Sequence, residues 1–376
     1  ATDSSITGID HPIQEALDMI CLDGGVVELA AGTHYLPLGG AITVTLHTNQ
    51  ETPYTPTQVE DLPDGTHHWI GNVTYSYAIL LNNKNNITIR GAGRNETVLI
   101  NEGEEYKMIF IVKGSNNIIK DLSMRANIST GYLKKSDGIS IIGKSQDIVI
   151  SNVKAERFQY GVRSGGYQHL LYDYHAIENL TIRDSVFVKN EYNVVSASTY
   201  SGLITGCESY GSVYGFKLDQ NSQNFLIERN IAHHNSICGI KIYSGGVKRN
   251  TIKDNICYEN KHGIIVNQGA RYTDVINNTF KNNTLYGIYI QNKNSATDYV
   301  NISNNRIFNN GNHGIEIFAE QPSRPDKNPP YDITIESNTI YNNRGDGVCQ
   351  DINLYDIVVK NNIIANNSGY GINHLN

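Results

Sequence analysis

The chain has 376 residues, with 30 Lys and Arg against 37 Asp and Glu and a formal net charge of −7. That balance excludes the basic footprint of a nucleic-acid-binding protein, and no apolar run is long enough to span a bilayer as a helix. Only 18% of residues are charged and Tyr outnumbers Phe 24 to 8, a polar, aromatic make-up compatible with carbohydrate binding. Five cysteines (Cys21, Cys207, Cys238, Cys257, Cys349) have no metal-ligand spacing and are expected to be buried free thiols.

The chain begins "ATDSS", with no signal-peptide pattern, as expected of a processed or trimmed end. Ile13, Leu17 and Ile20 fall at helical spacing, which predicts a helix over 11–22 that ends before Gly24-Gly25. "GGVVELAAGTHYL" then reads as strand. Residues 45–77 are expected to form an inserted loop. It carries His67, His68 and Trp69, and Trp69 is a candidate either for stacking on a sugar ring or for anchoring that loop. "NNITIRGAGRNETVLIN" (85–101) reads as alternating strands.

From residue 138 one unit recurs: Gly, an apolar-x-apolar triplet, a variable stretch, and a second alternation ending in Asn-x-apolar-x-x-Asn. The intervals Gly215–Gly239, Gly239–Gly263 and Gly263–Gly287 are each 24 residues. Short period-2 strands at that period, with no helix and no leucine ladder, predict an all-β fold: a right-handed parallel β-helix of about 24 residues per coil. The N-terminal helix would cap its open end. Asn at the corners is expected to hydrogen-bond from coil to coil and to adopt left-handed backbone. Residues 1–376 thus read as one β-helix domain, with further insertions at 164–178 and 319–331. The Pro-rich 319–331 segment is expected to form a wall or lid. The end, "GYGINHLN", falls partway into a coil, which predicts one module of a longer polypeptide with further domains C-terminal to it, or closure by a partner.

With the apolar pair of each triplet pointing inward, the outward ladder reads Arg163, Val195, Lys217, Lys241, Ile265, Tyr289, Glu316, Cys349. Two residues further on it reads Gly165, Ala197, Asp219, Tyr243, Asn267, Gln291, Phe318, Asp351. Arg163, Lys217, Asp219, Lys241 and Tyr243 fall within about four coils, roughly 15 Å of tube. Small residues at the Val195 rung are expected to leave a depression beside them. Three cations around one carboxylate suit an anionic sugar. A solvated face of alternating charges would look the same in sequence. The insertion after Arg163 brings Tyr172, Asp173, Tyr174 and His175, candidates for proton transfer over the same face. The catalytic candidates are therefore Asp219, Lys217, Asp173 and His175, and the substrate-binding candidates Arg163, Lys241, Tyr243, Tyr174 and Trp69. His262 and His313 precede the repeat glycine and read as corner residues, and the neighbours of His233 and His234 offer no further ligands at zinc spacing.

The helix-then-"GGVVELAAGTHYL" entry and the "ITIRGAGRNETVLI" coil resemble the pectate-lyase-like superfamily of right-handed parallel β-helices over essentially the whole chain. "IENLTIRDSVFVKN" and "YGFKLDQ" are similar to the β-helix module of alginate C5-epimerases, and that resemblance places an active-site acid at Asp219. The family's Tyr-Gly-Phe-Asp-Pro-His segment has no counterpart, and the nearest stretch, "LYDYHAIE", lies two coils before Asp219 rather than one. The Asn- and Tyr-rich coils also resemble disaggregatase of methanogenic archaea, which cleaves a uronate- and aminosugar-containing cell-surface polysaccharide. These resemblances imply an extracellular or cell-surface enzyme that cleaves glycosidic bonds of an acidic polysaccharide, with hydrolysis ahead of β-elimination or C5-epimerisation. The contrasting expectation is a non-catalytic glycan-binding or spacer module. Nine N-x-[ST] sequons, among them Asn277, Asn282 and Asn366, agree with secretion. No cofactor motif is evident; Ca²⁺ is common in this fold class, but no acidic motif specifies it here.

Overall fold

A computed structural model describes residues 12–19, 24–36, 40–48, 58–61, 67–102, 107–165, 177–292, 296–319, 329–351 and 354–375. Apart from one helix, Pro12–Met19, its regular elements are strands. They stack into three ladders, the three faces of a right-handed parallel β-helix, the hand expected of parallel crossovers. One face runs from His67–Asn82 through Tyr214–Asp219 and Cys238–Tyr243 to Ile372–His374. A second runs from Gly25–Glu28 to Tyr355–Lys360. The third consists of three-residue strands such as Glu208–Tyr210, Ile231–His233 and Ile256–Tyr258 over most of its length.

Alternation fixes what fills the tube. Ile139, Val162, Val194, Phe216, Ile240, Ile264, Ile288, Ile315 and Val348 are in register, one per coil, and all are buried. Four of the cysteines, Cys207, Cys238, Cys257 and Cys349, are buried free thiols, as expected; Cys21 lies outside the described residues.

The Asn doublets divide two tasks. The first Asn of each, at 277, 282, 304, 309, 342, 361 and 366, has φ between 53° and 57°, the left-handed corner. The second points inward. Asn278 Nδ2 donates to the Ile252 carbonyl (2.8 Å), and its Oδ1 accepts from the Asn255 amide (2.9 Å). Asn255, Asn278, Asn305 and Asn338 repeat this from coil to coil. The repeat glycines allow close approach: a Cβ on Gly263 would lie 2.5 Å from the Gly287 carbonyl oxygen.

The expected helix is present at Pro12–Met19, and residues 11 and 20–22 of the expected span lie outside the described residues. One sequence expectation needs correction. Residues 45–77 are not simply a loop. Gly40–Thr48 and Gln58–Asp61 both pair antiparallel with His67–Asn82, extending one face. Val, Ile and Thr alternate through these segments and favour strand. The backbone of Trp69 pairs with Thr48 and Val59, so it sits on a strand.

Candidate active site

The strand Tyr214–Asp219 sets the geometry. Phe216 and Leu218 are fully buried, so Lys217 and Asp219 face outward. The register places Val195, Lys217 and Lys241 side by side on successive rungs, and Ala197 beside Asp219. The outward ladder read from the repeat is the one present.

Lys217 Nζ lies 2.5 Å from Asp219 Oδ2, both side chains being 16% exposed. Asp219 Oδ1 also accepts from the Gln220 amide at 2.9 Å. Lys217 Nζ sits 4.8 Å from the centre of the Tyr243 ring, and Lys241 Nζ 4.5 Å from both the Tyr214 and Tyr243 rings. Lys241 donates to Tyr214 Oη at 3.3 Å. Tyr160, Tyr192 and Tyr214 stack along the adjacent ladder at 5.1 and 5.6 Å. Burial pushes the Tyr214 and Tyr243 phenols above their ordinary range, and takes Tyr192 up to about 12. These phenols keep their protons at neutral pH and act as donors. The ring faces around the two lysines add cation–π stabilisation.

Arg163 occupies its expected rung but not its expected role. Its side chain is 6% exposed and is committed to Asp137, fully buried, at 2.7 Å. Ser140 Oγ donates to the same Asp137 oxygen, and the Arg163 guanidinium lies 4.9 Å from the Tyr160 ring. Burial raises the Asp137 carboxyl, and Arg163 and Ser140 oppose that. Asp137 escaped the sequence reading. Its signal was an acid immediately before the repeat glycine of "SDGISI", a position that Tyr or His takes in most other coils, Asp346 and Cys238 being the exceptions. Ser196 turns inward to Ser164 at 2.9 Å, leaving only Val195 and Ala197 outward on that rung. Tyr172, Asp173, Tyr174 and His175 lie outside the described residues, as do 320–328 of the proposed wall.

A second titratable cluster sits further along the same ladder. Glu316 is four rungs from Lys217, roughly 19 Å. It is 7% exposed, and burial pushes its carboxyl up to about 7. His313 Nε2 lies 3.5 Å from Glu316 Oε2, and Cys349 is in register on the next rung. Among the described residues His313, Glu316 and Cys349 are the one trio of such side chains close enough to share an ion. The hydrogen bonds speak against metal there. The Asp346 amide donates to His313 Nδ1 at 2.8 Å, so the ring's hydrogen is on Nε2, the nitrogen that faces Glu316. A thiol and an imidazole also do not suit Ca²⁺, which takes oxygen ligands. His262 is a buried corner residue, stacked on Tyr289 at 5.2 Å, its pKa pushed down to about 4 by burial.

A family model described as "Right handed beta helix region" matches residues 108–280, 245–328 and 272–376. No curated protein matches in sequence. The A-module of mannuronan C-5 epimerase AlgE4 from Azotobacter vinelandii superposes with a TM-score of 0.64 at 18% identity, covering 96% of this chain and 92% of that one. The periplasmic alginate epimerase AlgG gives 0.56 at 18% identity, covering 76% and 78%. The catalytic domain of a GH87 alpha-1,3-glucanase gives 0.54 at 12% identity, covering 93% and 63%.

Proposed function

The chain belongs to the right-handed β-helix family, and on that scaffold we propose that it is an enzyme acting on a uronate-containing polysaccharide at the Lys217–Asp219–Lys241 patch. The observation that carries this reading is the arrangement of charged and phenolic groups on that patch. Lys241 and Lys217 converge on two phenols beside a single carboxylate, on the outward ladder of one face. A uronate carboxylate would pair with Lys241, and its neutralisation acidifies the C5 hydrogen of the sugar. The Lys217–Asp219 pair is the proton acceptor in this reading, and Tyr214 or Tyr243 the donor. Hydrolysis needs two carboxyl groups flanking one bond. Asp219 paired with Lys217 beside two phenols supplies a proton acceptor and donors, which supports proton removal at C5, by elimination or epimerisation. The alginate C5-epimerases among the similar folds agree with that chemistry. We place the activity outside the cell or in an extracytoplasmic compartment, where such polymers are found.

The test is to incubate the protein with uronate polysaccharides and follow three readouts together. Ultraviolet absorbance of an unsaturated uronate identifies elimination. A changed C5 configuration by NMR without chain cleavage identifies epimerisation. New reducing ends without absorbance would mean hydrolysis and would refute the C5 chemistry. Binding without turnover of any acidic glycan would refute the enzyme itself.

A further inference from the structure

On the face that carries the patch, Tyr160, Tyr192 and Tyr214 share one column on three successive rungs. Their rings stack. Tyr192 lies 5.6 Å from Tyr214 at 16° and 5.1 Å from Tyr160 at 22°. The next rung of that column carries Cys238 in place of a ring. From that same rung Lys241 reaches back, its Nζ 4.5 Å from the centre of the Tyr214 ring and 3.3 Å from Oη. Tyr214 is thus held by a ring from the rung before it and an ammonium group from the rung after.

The phenols of this region differ in what they can give. Glu191 precedes Tyr192, faces its phenol, and also accepts from Gln159 Nε2 at 3.0 Å. An ionised carboxylate only accepts, so the Tyr192 hydrogen has a partner at hand. Val213 holds the corresponding place before Tyr214, its amide donating to the Glu191 carbonyl at 2.9 Å. An ammonium group only donates. Tyr214 Oη therefore accepts from Lys241 and keeps its own hydrogen to give. The same contact stabilises negative charge on that oxygen as the proton leaves. Tyr243 meets Lys217 and Lys241 through its ring, at 4.8 and 4.5 Å, and no such hydrogen bond reaches its oxygen among the described residues.

We propose that Tyr192 is a positioning residue that holds Tyr214, rather than Tyr243, as the proton donor of the reaction, with Glu191 securing Tyr192. The inference rests on the C5 chemistry proposed above. The Lys217–Asp219 pair takes the C5 hydrogen as a proton. In elimination the electron pair left behind forms the C4–C5 double bond, the C4–O4 bond breaks, and Tyr214 gives its proton to the departing oxygen. In epimerisation Tyr214 gives its proton to the opposite face of C5. Either way solvent returns a proton to the phenolate and removes one from the acceptor. A flat ring stacked on the donor limits its swing, and a misplacement of about 1 Å can cost on the order of 100-fold in rate.

Two measurements on the full chain test this. The first needs no substrate. With tyrosine isotope-labelled at Cζ, the Tyr214 signal, assigned by its loss in Tyr214→Phe, follows the titration of that phenol by NMR. Burial holds the phenol above its ordinary range, so Tyr192→Ala should lower its midpoint and Tyr192→Phe should not. The second is turnover of a uronate polymer. Tyr192→Ala should lower kcat about tenfold or more while KM stays within about twofold, and Tyr192→Phe, which keeps the ring, should recover most of that loss. Tyr214→Phe should cost about 100-fold or more, and Tyr243→Phe less. Tyr192→Leu keeps apolar bulk without the flat ring and takes the place of Tyr192→Ala if that variant unfolds. The proposal is overturned if Tyr214 titrates in Tyr192→Ala as in wild type, if Tyr192→Phe is as slow as Tyr192→Ala, or if Tyr243→Phe is slower than Tyr214→Phe. A wild-type chain that turns over no uronate polymer overturns the reaction and the donor role with it, while the titration still decides whether Tyr192 holds Tyr214.

Discussion

Lys241 and Arg163 carry the same charge on the same ladder, yet their surroundings give them different work. Arg163 is sealed against Asp137. Replacing it with Ala strands a fully buried carboxylate, and such losses cost about 3–5 kcal/mol. Arg163→Ala is expected to shift the denaturation midpoint strongly, measured in urea. Lys241 lies against the Tyr214 and Tyr243 rings and donates to the Tyr214 phenol, so Lys241→Ala should shift the midpoint less than Arg163→Ala does and raise KM about tenfold or more for an acidic polymer. Lys217→Ala and Asp219→Asn should each lower kcat about 100-fold or more if the pair moves the proton. Glu316 makes a prediction about pH. Its pKa of about 7 lies above the ordinary value of 4.5, so between those values the folded protein holds a proton that the unfolded chain has released. Stability from this group therefore falls as pH rises through that window, by about 3 kcal/mol at most. Glu316→Gln removes the penalty, so its thermal midpoint should match wild type near pH 5 and exceed it near pH 8. Equal midpoints at both pH values would refute the shift.

At the scale of the coil, the sequence made the outward ladder readable because the side-chain period of a strand is two and the repeat glycine sets the phase. Once Phe216 and Leu218 are assigned inward, Lys217, Asp219, Lys241 and Tyr243 follow. Reach was not readable. A long side chain on an outward rung can fold back onto a neighbour, as Arg163 does onto Asp137, and the sequence holds no record of that rotamer. The ribbon at 40–82 was hidden for a different reason: it pairs antiparallel and so leaves the 24-residue period. The Asn doublets were legible as corners, but their division into a left-handed residue and an inward hydrogen-bonding residue emerges only from the coil geometry. That division predicts unequal tolerance. Asn278→Ala removes a fully buried amide and leaves the Ile252 carbonyl and the Asn255 amide without it. A cost on the order of 3 kcal/mol is expected. Asn277→Ala loses an exposed hydrogen bond to Asp254 and a side chain suited to its positive φ, and should cost less. Chemical denaturation of the two variants in parallel separates these outcomes.

Along the whole tube, each coil touches only the coils before and after it, so stability is a sum of neighbouring interfaces rather than of one shared core. Coils from Tyr214 to Ser303 are covered on both sides, and their inward residues are buried. In the last described coil Tyr355, Val358, Ile363 and Ile372 are 60%, 46%, 66% and 50% exposed. That coil has one neighbour among the described residues and less apolar area removed from water. Local opening should therefore cost least there and rise toward the middle. Native-state hydrogen exchange on this chain should show amides of Tyr355–Lys360 and Ile363–Ala365 exchanging well before those of Lys248–Lys253 and Arg271–Ile276. The Asn interfaces sharpen the expectation, because Asn255, Asn278 and Asn305 each bond to the coils before and after them. Removing one such side chain should lower protection in its own coil and the two adjoining ones, and much less in distant coils. Exchange at one common rate across all coils, in wild type and variant alike, would instead mean that the tube opens as a single cooperative unit, and the nearest-neighbour account of its stability would fall.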